Sequence, residues 1–136
     1  MRVRLLNRQS EIPVRVRPLL RQLKSSLSLL PGPLPAHLSD IEVILIDRAT
    51  MAQVHGDFLG DPTETDVITF PYGEILVCPA VASEQATSHG LKLEQEVLLY
   101  ALHGILHLVG YDDTTPAKER KMAEVQMQLL KRVLES

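Results

Sequence analysis

The chain has 136 residues, 45% of them apolar, enough for one compact domain with a core and too few to be read comfortably as two. It contains no run of eighteen apolar residues, no continuous apolar segment in Met1–Arg8 and one cysteine, so a membrane span, a secretory leader and an intrachain disulfide are not expected and the cytoplasm is the expected compartment. A net charge of -3 with 4% aromatic residues and no tryptophan argues against a general polyanion binder and displays no ready stacking platform for single-stranded nucleic acid.

In chain order, residues 2–6 alternate Arg with Val or Leu and predict a short strand. Pro13 to Leu30 then place Val16, Leu19, Leu20, Leu23, Leu27 and Leu30 at helical spacing. Seven of the fourteen basic residues fall in the first twenty-four positions, against the single acid Glu11. That end is either a phosphate-contacting surface or the solvated faces of a strand and a helix, and charge alone favours the second. Pro31-Gly32-Pro33-Leu34-Pro35 stops the helix, because proline lacks a backbone donor and disfavours helical geometry before it. Glu42–Ile46 is a β-branched run suited to a central strand, Arg48–Val54 reads as a helix, and Gly56–Thr65 reads as a polar surface loop. Two strands follow, Asp66–Phe70 and Glu74–Cys78, with Pro71-Tyr72-Gly73 short enough for an antiparallel hairpin. Cys78 ends an apolar run and is expected to be a buried strand residue, not a nucleophile. Pro79–Thr87 predicts a short helix and Leu91–Val109 a longer one, whose apolar residues cover most of its circumference and so predict burial. Thr115 as cap and Pro116 at the first helical position open a last amphipathic helix with Met122, Val125, Leu129 and Val133 on its inner stripe.

Two histidines on a buried helix need partners. His103 and His107, four apart, project from one face at the separation that lets both bind one metal ion. Alone this spacing is weak, since paired histidines also occur as hydrogen-bonded core or surface residues. Gly110 can break the helix with a left-handed turn and bring Asp113, ten residues after His103, to the same point. Asp112 is the neighbouring alternative, and the offset favours Asp113. Two histidines, a glycine stop and a third ligand with a position open to water follow the spacing logic of catalytic zinc sites. Position 104 is Gly where an H-E-x-x-H peptidase carries its general base, which makes peptide hydrolysis improbable and leaves phosphodiester hydrolysis open. His37, His55 and His89 have no partner spacing and are taken as surface histidines.

The segment His103-Gly104-Ile105-Leu106-His107-Leu108-Val109-Gly110-Tyr111-Asp112-Asp113 resembles the H-G-x-L-H-L-x-G-Y-D-H signature of the YbeY family at ten of eleven positions. Thr65-Asp66-Val67-Ile68-Thr69-Phe70-Pro71 is similar to that family's T-D-V-L-S-F-P strand, and Gly73-Glu74-Ile75-Leu76-Val77-Cys78-Pro79 to the G-D-I-V-I-C-P segment after it. The resemblance is strong from about Thr65 to Met122 and loose before. It implies a zincin-like α+β domain with a small mixed sheet of about four strands, and a metal-dependent endoribonuclease of single-stranded and ribosomal RNA. One ion per chain, zinc or another divalent transition metal, would sit on His103, His107 and Asp113 and serve hydrolysis. Ribosome quality control, ribosomal proteins and an assembly GTPase follow from the same resemblance. Two departures stand out: Asp113 replaces the usual third His, and Leu59 stands where many relatives carry an Arg. Phosphate contact would then fall to Arg48 or the basic N-terminal segment, with Thr65 and Asp66 as further candidate substrate residues. The rival readings are a ribosome-associated assembly factor with a structural metal, and a hydrolase of a small molecule or peptide.

Overall fold

The computed structural model describes residues 1–60 and 65–136. Four strands form one open mixed sheet of order β1-β2-β4-β3. β1 (Arg2–Arg8) and β4 (Glu74–Val77) both pair parallel with the central β2 (Asp40–Ile46), and β3 (Val67–Thr69) runs antiparallel along β4. Helices α1 (Val16–Ser26), α2 (Arg48–Leu59), α3 (Pro79–His89), α4 (Leu93–Val109) and α5 (Pro116–Glu135) complete the α+β architecture expected from the sequence.

β2 explains the sheet's position. Ile41, Val43 and Leu45 enter the main core with α1, α4 and α5, while Ile44 and Ile46 face a second cluster containing Met51, Ile68, Leu76 and Cys78. A strand covered on both faces has no reason to alternate, hence its unbroken apolar run. The anticipated hairpin closes through Gly73 N–H to the Phe70 carbonyl at 3.0 Å and Phe70 N–H to the Glu74 carbonyl at 2.8 Å, with Pro71 in its turn. Cys78 is buried, and burial raises its thiol pKa, in keeping with a structural residue.

Some boundaries differ from the expectations. α1 begins at Val16 and ends in a 3₁₀ turn, Leu27–Leu29. α2 continues through Gly56 to Leu59, so most of the described part of the expected Gly56–Thr65 loop is helical; positions 61–64 lie outside the described residues. Asp47 starts α2 by accepting from Thr50 N–H at 2.7 Å, and Gly60 in the left-handed region ends it. A glycine inside a helix costs only about 1 kcal/mol, which a capped helix tolerates. Among the described residues no helix is long and apolar enough to cross a membrane.

α4 is buried along most of its length. Glu96 on its first turns is fully buried, and His89 Nδ1 meets both its carboxylate oxygens at 2.8 and 3.0 Å. The Tyr100 hydroxyl also bonds Glu96, and burial followed by that hydrogen bond raises its pKa. His89, taken from the sequence as a surface histidine, is thus half-exposed but ties the end of α3 to α4.

Farther along α4, a Cβ on Gly104 would lie 2.7 Å from Ile75 Cγ2 and 2.8 Å from Thr69 Oγ1. The helix therefore approaches β3 and β4 more closely than any side chain at 104 permits. Gly104→Ala should destabilise the fold by about 1–3 kcal/mol; urea unfolding measures this, and an unchanged midpoint would refute the close packing.

Candidate metal centre

On α4 the Nε2 atoms of His103 and His107 come within 3.0 Å of each other. Their other nitrogens are held from behind. His103 Nδ1 lies 2.7 Å from Gln126 Oε1 on α5, and His107 Nδ1 lies 3.0 Å from the Tyr111 carbonyl. Both oxygens only accept, so each ring carries its proton on Nδ1 and donates it. Two Nε2 lone pairs then face each other at a distance where, without a proton or cation between them, they repel. A metal ion converts that repulsion into two coordinate bonds, and an Nδ1–H anchored to an oxygen is the usual support for such a ligand.

Asp113 supplies the third donor. Its Oδ2 is 3.9 Å from His103 Nε2, and one ligand atom from each of the three residues lies within 4.8 Å of the others. Donors about 2 Å from a tetrahedral zinc ion sit about 3.3 Å apart, so the histidine pair already has zinc-like spacing and the half-exposed Asp113 closes the remaining gap. Gly110 makes this convergence possible. At φ 122° it ends α4 with its N–H directed to the Leu106 and His107 carbonyls, and a Cβ would strain that conformation. The turn returns the Tyr111 carbonyl to His107 and sends the chain back towards His103. Asp112 is occupied elsewhere: it accepts from Thr114 Oγ1 at 2.8 Å, Thr114 N–H at 3.1 Å and Lys118 Nζ at 3.4 Å. The Thr114 bonds hold its carboxyl below the usual pKa range. Asp113, the carboxylate favoured by its offset from His103, is the one beside the rings.

His107 also borders a cavity of about 350 Å³, lined besides by Pro35, His37, Thr69, Pro71 and Leu108. Among the described residues, His103, His107 and Asp113 are the only cluster of metal-ligating side chains within coordinating reach of one another, which leaves the cavity side of the centre without a fourth protein ligand from that set.

The remaining candidate residues are neither in the metal-ligating group nor among the residues lining the cavity. Thr65 and Asp66 lead into β3, with Thr65 Oγ1 3.4 Å from Asp66 Oδ1 and the Asp66 carbonyl accepting from Cys78 N–H at 3.0 Å. Arg48 begins α2; its guanidinium bonds the Ala80 carbonyl at 3.1 Å and pairs with Glu84 of α3. Gln126 was not singled out from the sequence, and His37 was read there only as a surface histidine. Gln126 lies twenty-three residues from its histidine, and no local pattern announces such a contact. His37 is exposed, as expected, yet it forms part of the cavity wall because the proline-rich segment passes over the end of the hairpin.

This donor set, on a helix packed against a mixed sheet, places the chain among α+β proteins built round a candidate single-metal centre. Comparison narrows the class. Residues 4–134 match the profile of the family described as Endoribonuclease YbeY, and the chain belongs to that family. A protein of that name from Kineococcus radiotolerans is 37% identical over 110 residues, 68% of this chain and 64% of the relative. One from Clavibacter michiganensis is 35% identical over 109 residues, 68% of this chain and 71% of the relative. A solution structure of a Thermotoga maritima protein superposes with a TM-score of 0.67 at 29% identity, covering 96% of this chain and 88% of that one.

Zinc should raise the melting temperature of the wild-type protein and leave that of His107→Ala unchanged. Gln126→Ala should weaken zinc binding about 10–100-fold, as measured by competition with a chromogenic chelator. Wild-type affinity in this variant would show that the hydrogen bond to His103 does not support the site.

Proposed function

We propose that the protein is a metal-dependent endoribonuclease of single-stranded RNA, acting on ribosomal RNA in its maturation and in ribosome quality control. The observation that carries this reading is the pair of back-anchored histidines whose Nε2 lone pairs converge with Asp113 beside an open cavity. Membership of the endoribonuclease family supplies the substrate class.

His103, His107 and Asp113 would hold zinc or another divalent transition metal. When bound, the ion supplies Lewis-acid polarisation of a phosphoryl oxygen and lowers the pKa of coordinated water. Gln126 and the Tyr111 carbonyl fix the tautomer and orientation of the two rings, so the ligands need little rearrangement. The cavity beside His107 supports catalysis over a structural role, because a catalytic ion keeps a position accessible to water and substrate. Gly104, in the place of a peptidase's glutamate, disfavours the cleavage of peptides. The cytoplasm, the ribosome and assembly proteins are the setting this reading implies.

Purified protein should cut a single-stranded ribosomal RNA fragment. Both His107→Ala and chelation should reduce cleavage to the level of the other, with zinc restoring only the chelated wild type. Equal cleavage in all samples, or none from fully zinc-loaded protein, would sink the reading and leave an assembly factor with a structural metal.

A further inference from the structure

The cavity beside the candidate centre has a second imidazole in its wall. Of the residues that line it, only His37 and His107 carry side chains that take up a proton near neutral pH. His107 has Nδ1 on the Tyr111 carbonyl and Nε2 among the candidate ligand atoms, so neither of its nitrogens is free. His37 lies outside that metal-ligating group. Its Nε2 is 3.3 Å from the Pro71 carbonyl. A carbonyl only accepts, so this hydrogen bond places the ring proton on Nε2 and leaves a lone pair on Nδ1.

The backbone around this ring is fixed from two directions. Pro35-Ala36-His37-Leu38 is a turn closed by the Leu38 N–H on the Pro35 carbonyl at 3.1 Å, and Leu38 is buried. The β3–β4 hairpin is drawn against the same segment. Glu42 N–H donates to the Gly73 carbonyl at 2.9 Å, and a Cβ on Gly73 would lie 2.5 Å from the Asp40 carbonyl oxygen and 3.3 Å from Leu38 Cδ2. The turn carrying His37 and the hairpin carrying Thr69 and Pro71 are thereby held to each other, while the His37 side chain stays exposed to water.

We propose that His37 is the general base of the hydrolysis and takes a proton from the water that attacks phosphorus. The proposal rests on the reading of the centre as a ribonuclease. α4 lacks the glutamate that serves this purpose in zinc peptidases, since position 104 has no room for a side chain. Asp113 belongs to the candidate ligand set, which leaves His37 as the base in the cavity wall with a lone pair to spare. The proton passes to His37 Nδ1 as the water oxygen bonds phosphorus. The P–O bond to one sugar breaks, and its electron pair leaves with the sugar oxygen. Solvent protonates that oxygen, and His37 returns its own proton to solvent. A fixed acceptor on the second ring nitrogen orients a base histidine and stabilises the imidazolium that forms; the Pro71 carbonyl has that place here.

In zinc-loaded protein, His37→Ala and His37→Gln should each lower kcat about 100-fold on an RNA fragment and on bis(p-nitrophenyl) phosphate. KM should stay within about twofold of wild type, with zinc affinity and melting temperature unchanged. Glutamine can donate an amide N–H to the Pro71 carbonyl but cannot take up a proton, so the second variant separates the base from its hydrogen bond. Added imidazole should raise kcat of His37→Ala about tenfold and leave the wild type unaffected. In proton–nitrogen NMR spectra at mildly alkaline pH, the ring signal that His37→Gln removes should be that of an Nε2–H tautomer. An Nδ1–H tautomer, wild-type kcat in either variant, or a loss of kcat matched by an equal loss of zinc affinity would overturn the base. Hydrolysis of the nitrophenyl diester that depends on His37, with RNA left uncut, would sink the ribonuclease reading alone. RNA cut equally fast with and without His37 would sink the base alone.

Discussion

The candidate centre depends on how closely α4 approaches the sheet. Ile75 Cγ2 and Thr69 Oγ1 occupy the space where a side chain at 104 would begin, so the helix can take this position only with a hydrogen there. The approach sets His107 beside Thr69 in the cavity wall. It also joins packing to chemistry. Position 104 follows the first histidine, where zinc peptidases carry a catalytic glutamate, and a glutamate here would have to displace Ile75 and Thr69. One contact therefore determines where the two histidines of the candidate centre stand and leaves no room for a glutamate at position 104.

Close packing alone would leave the imidazoles free to choose tautomers. Their protonation is settled from outside α4, by the Tyr111 carbonyl behind Gly110 and by Gln126 of α5. That gives the last helix a part in the centre. Met122, Val125, Leu129, Leu130 and Val133 bury one stripe of α5, and this anchorage holds Gln126 at hydrogen-bond distance from His103. A loss of packing far along α5 would reach the centre as a disordered ring, since a ligand that must be oriented on binding holds metal less tightly than one already in place.

The sequence was most informative where chemistry and periodicity coincide. The apolar wrap of α4, the four-residue histidine spacing, the glycine stop and the offset to Asp113 are consecutive features of one segment, and local geometry nearly determines their arrangement. The β-branched run of β2, the hairpin around Pro71 and the cap at Thr115 were legible for similar reasons. Less legible were contacts created by folding. Gln126 approaches His103 across two helices, His89 finds Glu96 only because α3 and α4 pack together, and His37 reaches the cavity because a proline-rich segment crosses the hairpin. The length of α2 was underestimated because Gly56 was read as a loop signal, although a helix with a good cap tolerates one interior glycine.

These contacts also bear on how a chain of net charge -3 could hold a polyanion. Affinity for nucleic acid usually comes largely from phosphate neutralisation, and the basic N-terminal segment first suggests that source. Yet Arg2 is paired with Asp40 and Arg4 with Glu42 across β1 and β2, while the guanidinium of Arg48 is engaged by Glu84 and the Ala80 carbonyl. These arginines are partly neutralised within the fold, so their count overstates the positive field available to RNA.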